Sequence, residues 1–238
     1  IHEGGHAIYE LNTGDDLIGT TMAGGASMGI HESQSRFYEN IIGRSEAFIS
    51  LIFPKIKELF PEQFENVSAH DFYLAVNKAE PSLIRTEADE LTYSMHIMVR
   101  YEIEKRLMDG SLSTKDLPNE WNRLYKEYLG IDVPCDSMGC LQDSHWSGGA
   151  LGYFPSYSLG SAYGAQFLHK MKQDIDIDKL VSENRIDEVT AWLTEKIHKY
   201  GMLLTPAQLI ENACGEEFNA DYYIEYLTEK YKKIYDLK

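Results

Sequence analysis

The residues best equipped for chemistry stand at the start of the sequence, His2-Glu3-Gly4-Gly5-His6. On a helix, positions four apart share a face, so both imidazoles can reach one divalent cation. Glu3 projects beside them, where a carboxylate can take a proton from a water bound to that cation. This is the spacing in which two His bind Zn²⁺ and a Glu serves as general base. A third ligand has to come from another element, and Glu32, 26 residues after His6, is the candidate. A carboxylate from a second helix completes such a set and leaves a fourth position open for water. His31 beside it has two open readings, support of the ligands or ordinary surface.

Helices must position these groups. The first is expected through Leu11, stopping near Asn12-Thr13-Gly14. A Gly-rich connection, Gly24-Gly25-Ala26-Ser27-Met28-Gly29, follows it. That loop lacks the Lys-Ser/Thr ending and the preceding strand of a nucleotide loop, so a close-packed crossing is the better reading. A helix opening at Ile30 is expected to run to about Phe53, with Pro54 and Pro61 bracketing a short segment before another over 67–78. The longest helix is expected from an N-cap at Ser82 to a C-cap at Gly110, burying Ile84, Ala88, Leu91, Met95 and Met98. Further helices are read over 117–130, from Ala162, and near 186–200, 206–213 and 220–235. No strand alternation persists, no repeat appears and no linker is evident. The expected class is all-α, with residues 1–238 as one helical catalytic portion.

Charge narrows the partners. Asp and Glu number 38 against 22 Lys and Arg, a net of −16, so nucleic acid and anionic membranes are repelled. No apolar run approaches the length of a membrane span. Three cysteines, an odd and sparse count, fit a reducing cytoplasm. Because a ligand stands at position 2 with no N-cap or initiator Met before it, the chain reads as the C-terminal piece of a longer protein.

Arg85 is expected in the first turn of its helix, where a cation opposes the helix dipole and needs an anion. Glu87, Asp89 or Glu90 can supply a structural ion pair; the alternative is a substrate carboxylate, which a guanidinium binds bidentately. Residues 139–160 are dense in Gly, Tyr and His without periodicity, which suits a functional surface better than a core.

Four blocks together resemble the carboxypeptidase Taq family of metallocarboxypeptidases: His2-Glu3-Gly4-Gly5-His6, His31-Glu32-Ser33-Gln34, Ile84-Arg85-Thr86-Glu87-Ala88-Asp89, and Gly139 through Trp146. Gly152-Tyr153-Phe154-Pro155-Ser156-Tyr157 is similar too, so the likeness covers the whole chain. Family members are longer and carry an Asp-x-Arg-x-Thr motif that is absent here. The resemblance implies a helical, zincin-type fold with a deep groove, related to neurolysin and angiotensin-converting enzyme. It implies a homodimer, zinc or cobalt as the metal, and release of single C-terminal amino acids from peptides with broad specificity, proline excepted. By motif, His2, His6 and Glu32 are metal ligands and Glu3 the general base. Arg85 holds the substrate's terminal carboxylate, and His145 and Tyr157 hold substrate or oxyanion, with Tyr153 a weaker candidate. The competing readings are an oligopeptidase or dipeptidyl carboxypeptidase of the same fold, and a catalytically silent helical module for binding or dimerisation.

Overall fold

The computed structural model describes residues Ile1–Lys238. Eleven α-helices and several short turns of other helix types make up the chain, with no strand. Contacts divide it into two compact units, Ile1–Asn77 with Leu159–Lys238, and Lys78–Ser158. No linker composition marks either boundary, and the second falls inside a helix, Pro155–Asp174.

The first unit opens with α1 (His2–Leu11), which ends at Asn12 as the sequence suggests. α2 (Met28–Arg36) starts at Ser27, whose hydroxyl accepts the Ile30 amide at 3.1 Å, the usual satisfaction of a free first-turn donor. The expected single helix to Phe53 is in fact three pieces. After Arg36 the backbone widens into a π-helical turn, Phe37–Ile42, closed by Gly43 N–H donating to the Tyr38 carbonyl at 2.9 Å. α3 (Glu46–Leu59) then starts on a Ser45 cap and runs through Pro54 rather than stopping before it. The carbonyl that Pro54 leaves without its helical donor belongs to exposed Ser50, where water can replace the bond. α4 (Ala69–Val76) carries a capping box between Ser68 and Asp71.

α7 (Pro155–Asp174) begins seven residues before the expected Ala162, because Pro is well placed in a first helical turn and Phe154, 1 % exposed, anchors the entry. A short helix missed in the sequence, α8 (Ile177–Ser182), follows. α9 (Ile186–Lys196), α10 (Pro206–Cys214) and α11 (Asp221–Ile234) fall close to the expected places. One core of the first unit joins Tyr9, Ile30, Phe37, Phe167, Met171, Leu193 and Leu209.

The second unit holds α5 (Tyr93–Met108) and α6 (Leu117–Leu129), the latter ended by Gly130 at φ +74°. α5 starts eleven residues later than Ser82. The Asp89 carboxylate explains the delay: it accepts the Thr92 amide at 3.0 Å, the Thr92 hydroxyl at 2.8 Å and the Glu80 amide at 3.0 Å, holding this stretch in a turn. Ser82 caps nothing, and its hydroxyl is buried without a partner. Arg85 therefore lies in a 3₁₀ turn, Arg85–Glu87, and not in a helix's first turn. The buried face of α5 is also not the expected stripe. Leu91 and Met98 are exposed, while Tyr93, His96, Ile97, Arg100, Ile103 and Glu104 face inward. With Val99, which is buried too, three of the seven inward residues are polar, so a search for apolar spacing selects the wrong side.

Candidate metal centre

In the first unit, α1 and α2 bring His2, His6 and Glu32 together, and one ligand atom from each lies within 4.8 Å of the others. His2 Nε2 is 3.7 Å from Glu32 Oε2, and His6 Nε2 is 3.9 Å from Glu32 Oε1. These are separations that one ion bonded at about 2.0–2.2 Å to each atom spans with little movement. Two glycines make the approach possible. A β-carbon on Gly5 would stand 2.7 Å from the Gln34 carbonyl oxygen, and one on Gly160 of α7 would stand 2.4 Å from the Glu32 Cβ. Close approach of backbones, and not metal ligation, accounts for the inner Gly of the His-Glu-Gly-Gly-His block.

Each ring nitrogen facing away from the ligand set is occupied. His2 Nδ1 is 2.8 Å from Glu39 Oε2, and Arg36 donates to that same oxygen at 3.1 Å. His6 Nδ1 is 2.8 Å from His31 Nδ1, and His31 Nε2 is 2.5 Å from Glu10 Oε1. Burial pushes the His6 pKa below its ordinary value, and the neighbouring His31 and His2 add to this against the opposing charges of Glu32 and Glu3. A ring biased toward its neutral form suits coordination. Burial raises the Glu39 carboxyl, but its hydrogen bond to His2 and the charge of Arg36 outweigh that and hold it below the ordinary range. Glu32 is 3 % exposed; its Oε2 accepts from the Ser35 hydroxyl at 3.0 Å, while its Oε1 faces His6 Nε2. A buried carboxylate beside two imidazole nitrogens is a donor set that fits a divalent cation. Glu3 is exposed on the same helix.

The second unit gathers the remaining candidates. Arg85, 6 % exposed, pairs neither with Glu87, Asp89 nor Glu90 but with Asp143, 58 residues downstream. Its Nε and one NH₂ group donate to Asp143 Oδ1 at 2.9 and 2.8 Å, and its other NH₂ group donates to the Tyr93 hydroxyl at 3.0 Å. Fully buried Arg100, which sequence reasoning missed, holds the other Asp143 oxygen at 2.7 and 2.5 Å and bonds Gln142 at 2.9 Å. Burial pushes the Asp143 carboxyl up, yet the charges of Arg100 and Arg85 prevail and keep it below its ordinary range. Two cations against one anion leave this buried group with a surplus positive charge.

His145 and Tyr157 meet here as well, with His145 Nε2 2.9 Å from the Tyr157 hydroxyl. The Tyr153 ring lies 5.6 Å from His145 and 5.4 Å from Tyr157. Burial first, then the charge of Arg85, lowers the His145 pKa, so this ring is a neutral hydrogen-bonding group. Glu104 of α5, another residue the sequence did not mark, ties the loop down by accepting from Trp146 Nε1 at 2.8 Å and from the Gly152 amide at 3.1 Å.

The chain is similar to known carboxypeptidases in sequence and in fold. The carboxypeptidase 1 of Bacillus subtilis (strain 168) is 50% identical over 236 residues, covering 99% of this chain and 47% of that protein. The thermostable carboxypeptidase 1 of Pyrococcus furiosus is 44% identical over 232 residues, covering 97% and 46%. Among solved structures, an M32 carboxypeptidase from Deinococcus radiodurans R1 superposes with a TM-score of 0.96 at 39% identity, covering 99% of this chain and 48% of that one. The chain thus spans about half the length of the curated relatives it matches. The family model for the carboxypeptidase Taq (M32) metallopeptidases matches residues 1–231, and the chain belongs to that family.

Proposed function

We propose that the chain carries the metal-binding and much of the substrate-binding machinery of a carboxypeptidase that releases single C-terminal amino acids from peptides, with broad specificity and proline excepted. The observation that carries this reading is the His2, His6 and Glu32 cluster within a chain matched by the family over residues 1–231. His2, His6 and Glu32 would hold one ion per chain, zinc or cobalt. When bound, the ion supplies a Lewis acid and lowers the pKa of a coordinated water.

The protein's own groups do the rest. Glu3 accepts the proton of the attacking water and returns it to the departing amine. His145 and Tyr157, joined by their own hydrogen bond, hold the substrate or the negative charge that develops on its carbonyl oxygen, and Tyr153 packs beside them. Arg85, with its share of the surplus positive charge over Asp143, attracts the terminal carboxylate. No helix is long and apolar enough to cross a membrane. We place the enzyme in the cytoplasm as a homodimer acting on peptides, a location supported by three cysteines that are all free thiols.

Product analysis on an N-terminally blocked hexapeptide, with elemental analysis of the same sample, tests the reading. Stepwise appearance of single amino acids with one ion per chain supports it. Release of dipeptides would favour an oligopeptidase or dipeptidyl carboxypeptidase. A metal-free protein without turnover would favour a binding or dimerisation module.

A further inference from the structure

An imidazole binds a cation through Nε2 only if that nitrogen carries no proton, so a neutral ligand ring must hold its proton on Nδ1. Free histidine favours the opposite tautomer, and something must select the ligand form. At His2 the selection is direct. Glu39 Oε2, 2.8 Å from His2 Nδ1, is an ionised carboxylate oxygen that can only accept, so Nδ1 donates and Nε2 is left bare.

At His6 the partner is another imidazole, and a contact between two Nδ1 atoms at 2.8 Å admits a proton on either side. Glu10 resolves the choice. Its Oε1, 2.5 Å from His31 Nε2, accepts from that nitrogen, and it also accepts the Gly25 amide at 3.2 Å. In the neutral form of His31 this leaves Nδ1 bare, so that it accepts from His6 Nδ1 and His6 Nε2 is left free.

The rings cannot turn away easily. Tyr9 packs edge-on against His31 at 4.9 Å between centroids, and Gly25 lies so near that a β-carbon there would stand 2.5 Å from the His31 Cδ2. Glu39 stands on the π-helical turn Phe37–Ile42 and shares its Oε2 with Arg36. Such turns are frequent at functional sites.

We propose that Glu39, and Glu10 acting through His31, are positioning residues that set both ligand imidazoles in the metal-binding tautomer before any ion arrives. This rests on the reading of His2, His6 and Glu32 as a metal centre, and it assigns His31 a role as support for His6.

Nitrogen-15 NMR of the histidine rings in metal-free protein, at a pH where they are neutral, reads the tautomers directly. His2 and His6 are expected to carry their protons on Nδ1. Zn²⁺ affinity, measured by competition with a chromophoric chelator, is then compared across variants. His31→Phe keeps the ring against Tyr9 but removes the acceptor; it should move the His6 proton to Nε2 and weaken Zn²⁺ binding about 10–100-fold. His31→Asn places a carbonyl oxygen near the position of Nδ1 and should recover most of that loss. Protons on Nε2 in the wild type, unchanged affinity in His31→Phe, or a His31→Asn variant no better than His31→Phe would each overturn the positioning role. In those cases a wild type that binds Zn²⁺ far better than His6→Ala still leaves the metal centre standing. A wild type that binds no better than His6→Ala removes the metal centre, and this inference with it.

Discussion

Gly160 and Glu32 are in such close contact that a β-carbon on the glycine would lie 2.4 Å from the glutamate's own Cβ and 2.9 Å from its carbonyl carbon. The turn carrying Glu32 is therefore seated directly on the backbone of α7.

Gly160→Ala should push that turn outward. Overpacking a close backbone contact costs about 1–3 kcal/mol, and the displaced Glu32 carboxylate should bind metal more weakly. Urea denaturation and a Zn²⁺ titration on the same variant read both effects. Wild-type values in both would show that the contact relaxes at no cost.

The two adjacent glycines of the first block should behave in opposite ways. Nothing lies within 4 Å of a β-carbon on Gly4, whereas one on Gly5 meets the Gln34 oxygen and the Ser35 Cα at 2.7 Å. Gly4→Ala should stabilise the protein by up to about 1 kcal/mol through helix propensity. Gly5→Ala should destabilise it by about 1–3 kcal/mol. Thermal melts of the two variants side by side decide the matter.

In the complete enzyme, Glu3→Gln should abolish peptide hydrolysis while metal content stays at the wild-type level, because His2, His6 and Glu32 are untouched and only the proton acceptor is lost. Amino-acid release assays and elemental analysis check it, and substantial residual turnover would remove Glu3 from its role.

Asp143→Ala leaves Arg85 and fully buried Arg100 without their shared anion. Removing one partner of a buried ionic group costs about 3–5 kcal/mol, so chemical denaturation should show a loss of that size at neutral pH. Since the Asp143 carboxyl is held below its ordinary 3.8, its contribution is complete above that pH and fades only as acid carries the solution below it.

Milder acid should act first through two buried imidazoles. Burial lowers the His96 pKa from 6.5 to about 3, with help from Arg100 and Arg85, and burial lowers that of His198 to about 3, with help from His31. Between those values the unfolded chain binds protons that the folded one refuses, so stability falls as pH drops below 6.5. At pH 5 each histidine should cost about 2 kcal/mol relative to pH 8. Urea midpoints across this range test it, and His198→Gln should flatten part of the slope.

Much of the candidate metal centre was legible because its signal is local. Two His at helical spacing announce themselves, and Glu32 follows on the next long helix. Helix ends at Asn12 and Gly130 were legible for the same reason, since caps and glycines act within a turn. What escaped depends on residues far along the chain. Nothing near Arg85 reveals that its partner is Asp143, and nothing near Gly5 reveals the Gln34 carbonyl that forbids a side chain there. The start of α5 escaped because the side chain of Asp89 competes with the backbone, and its inward face escaped because His96, Arg100 and Glu104 occupy it.

That polar inward face bears on how the second unit assembles. A helix normally forms early by hiding an oily side, but the oily side of α5 includes Met98 and Met108, which end up facing outward. The charged groups of its inward side find their counterparts in a loop that arrives some forty residues later in the chain, as when Arg100 meets Asp143 and Glu104 meets the Gly152 amide. Helix and loop must therefore become ordered in one step. A nascent chain stopped short of Asp143 would expose Met98 and Met108 beside unneutralised arginines, a species prone to wrong association until the loop is made.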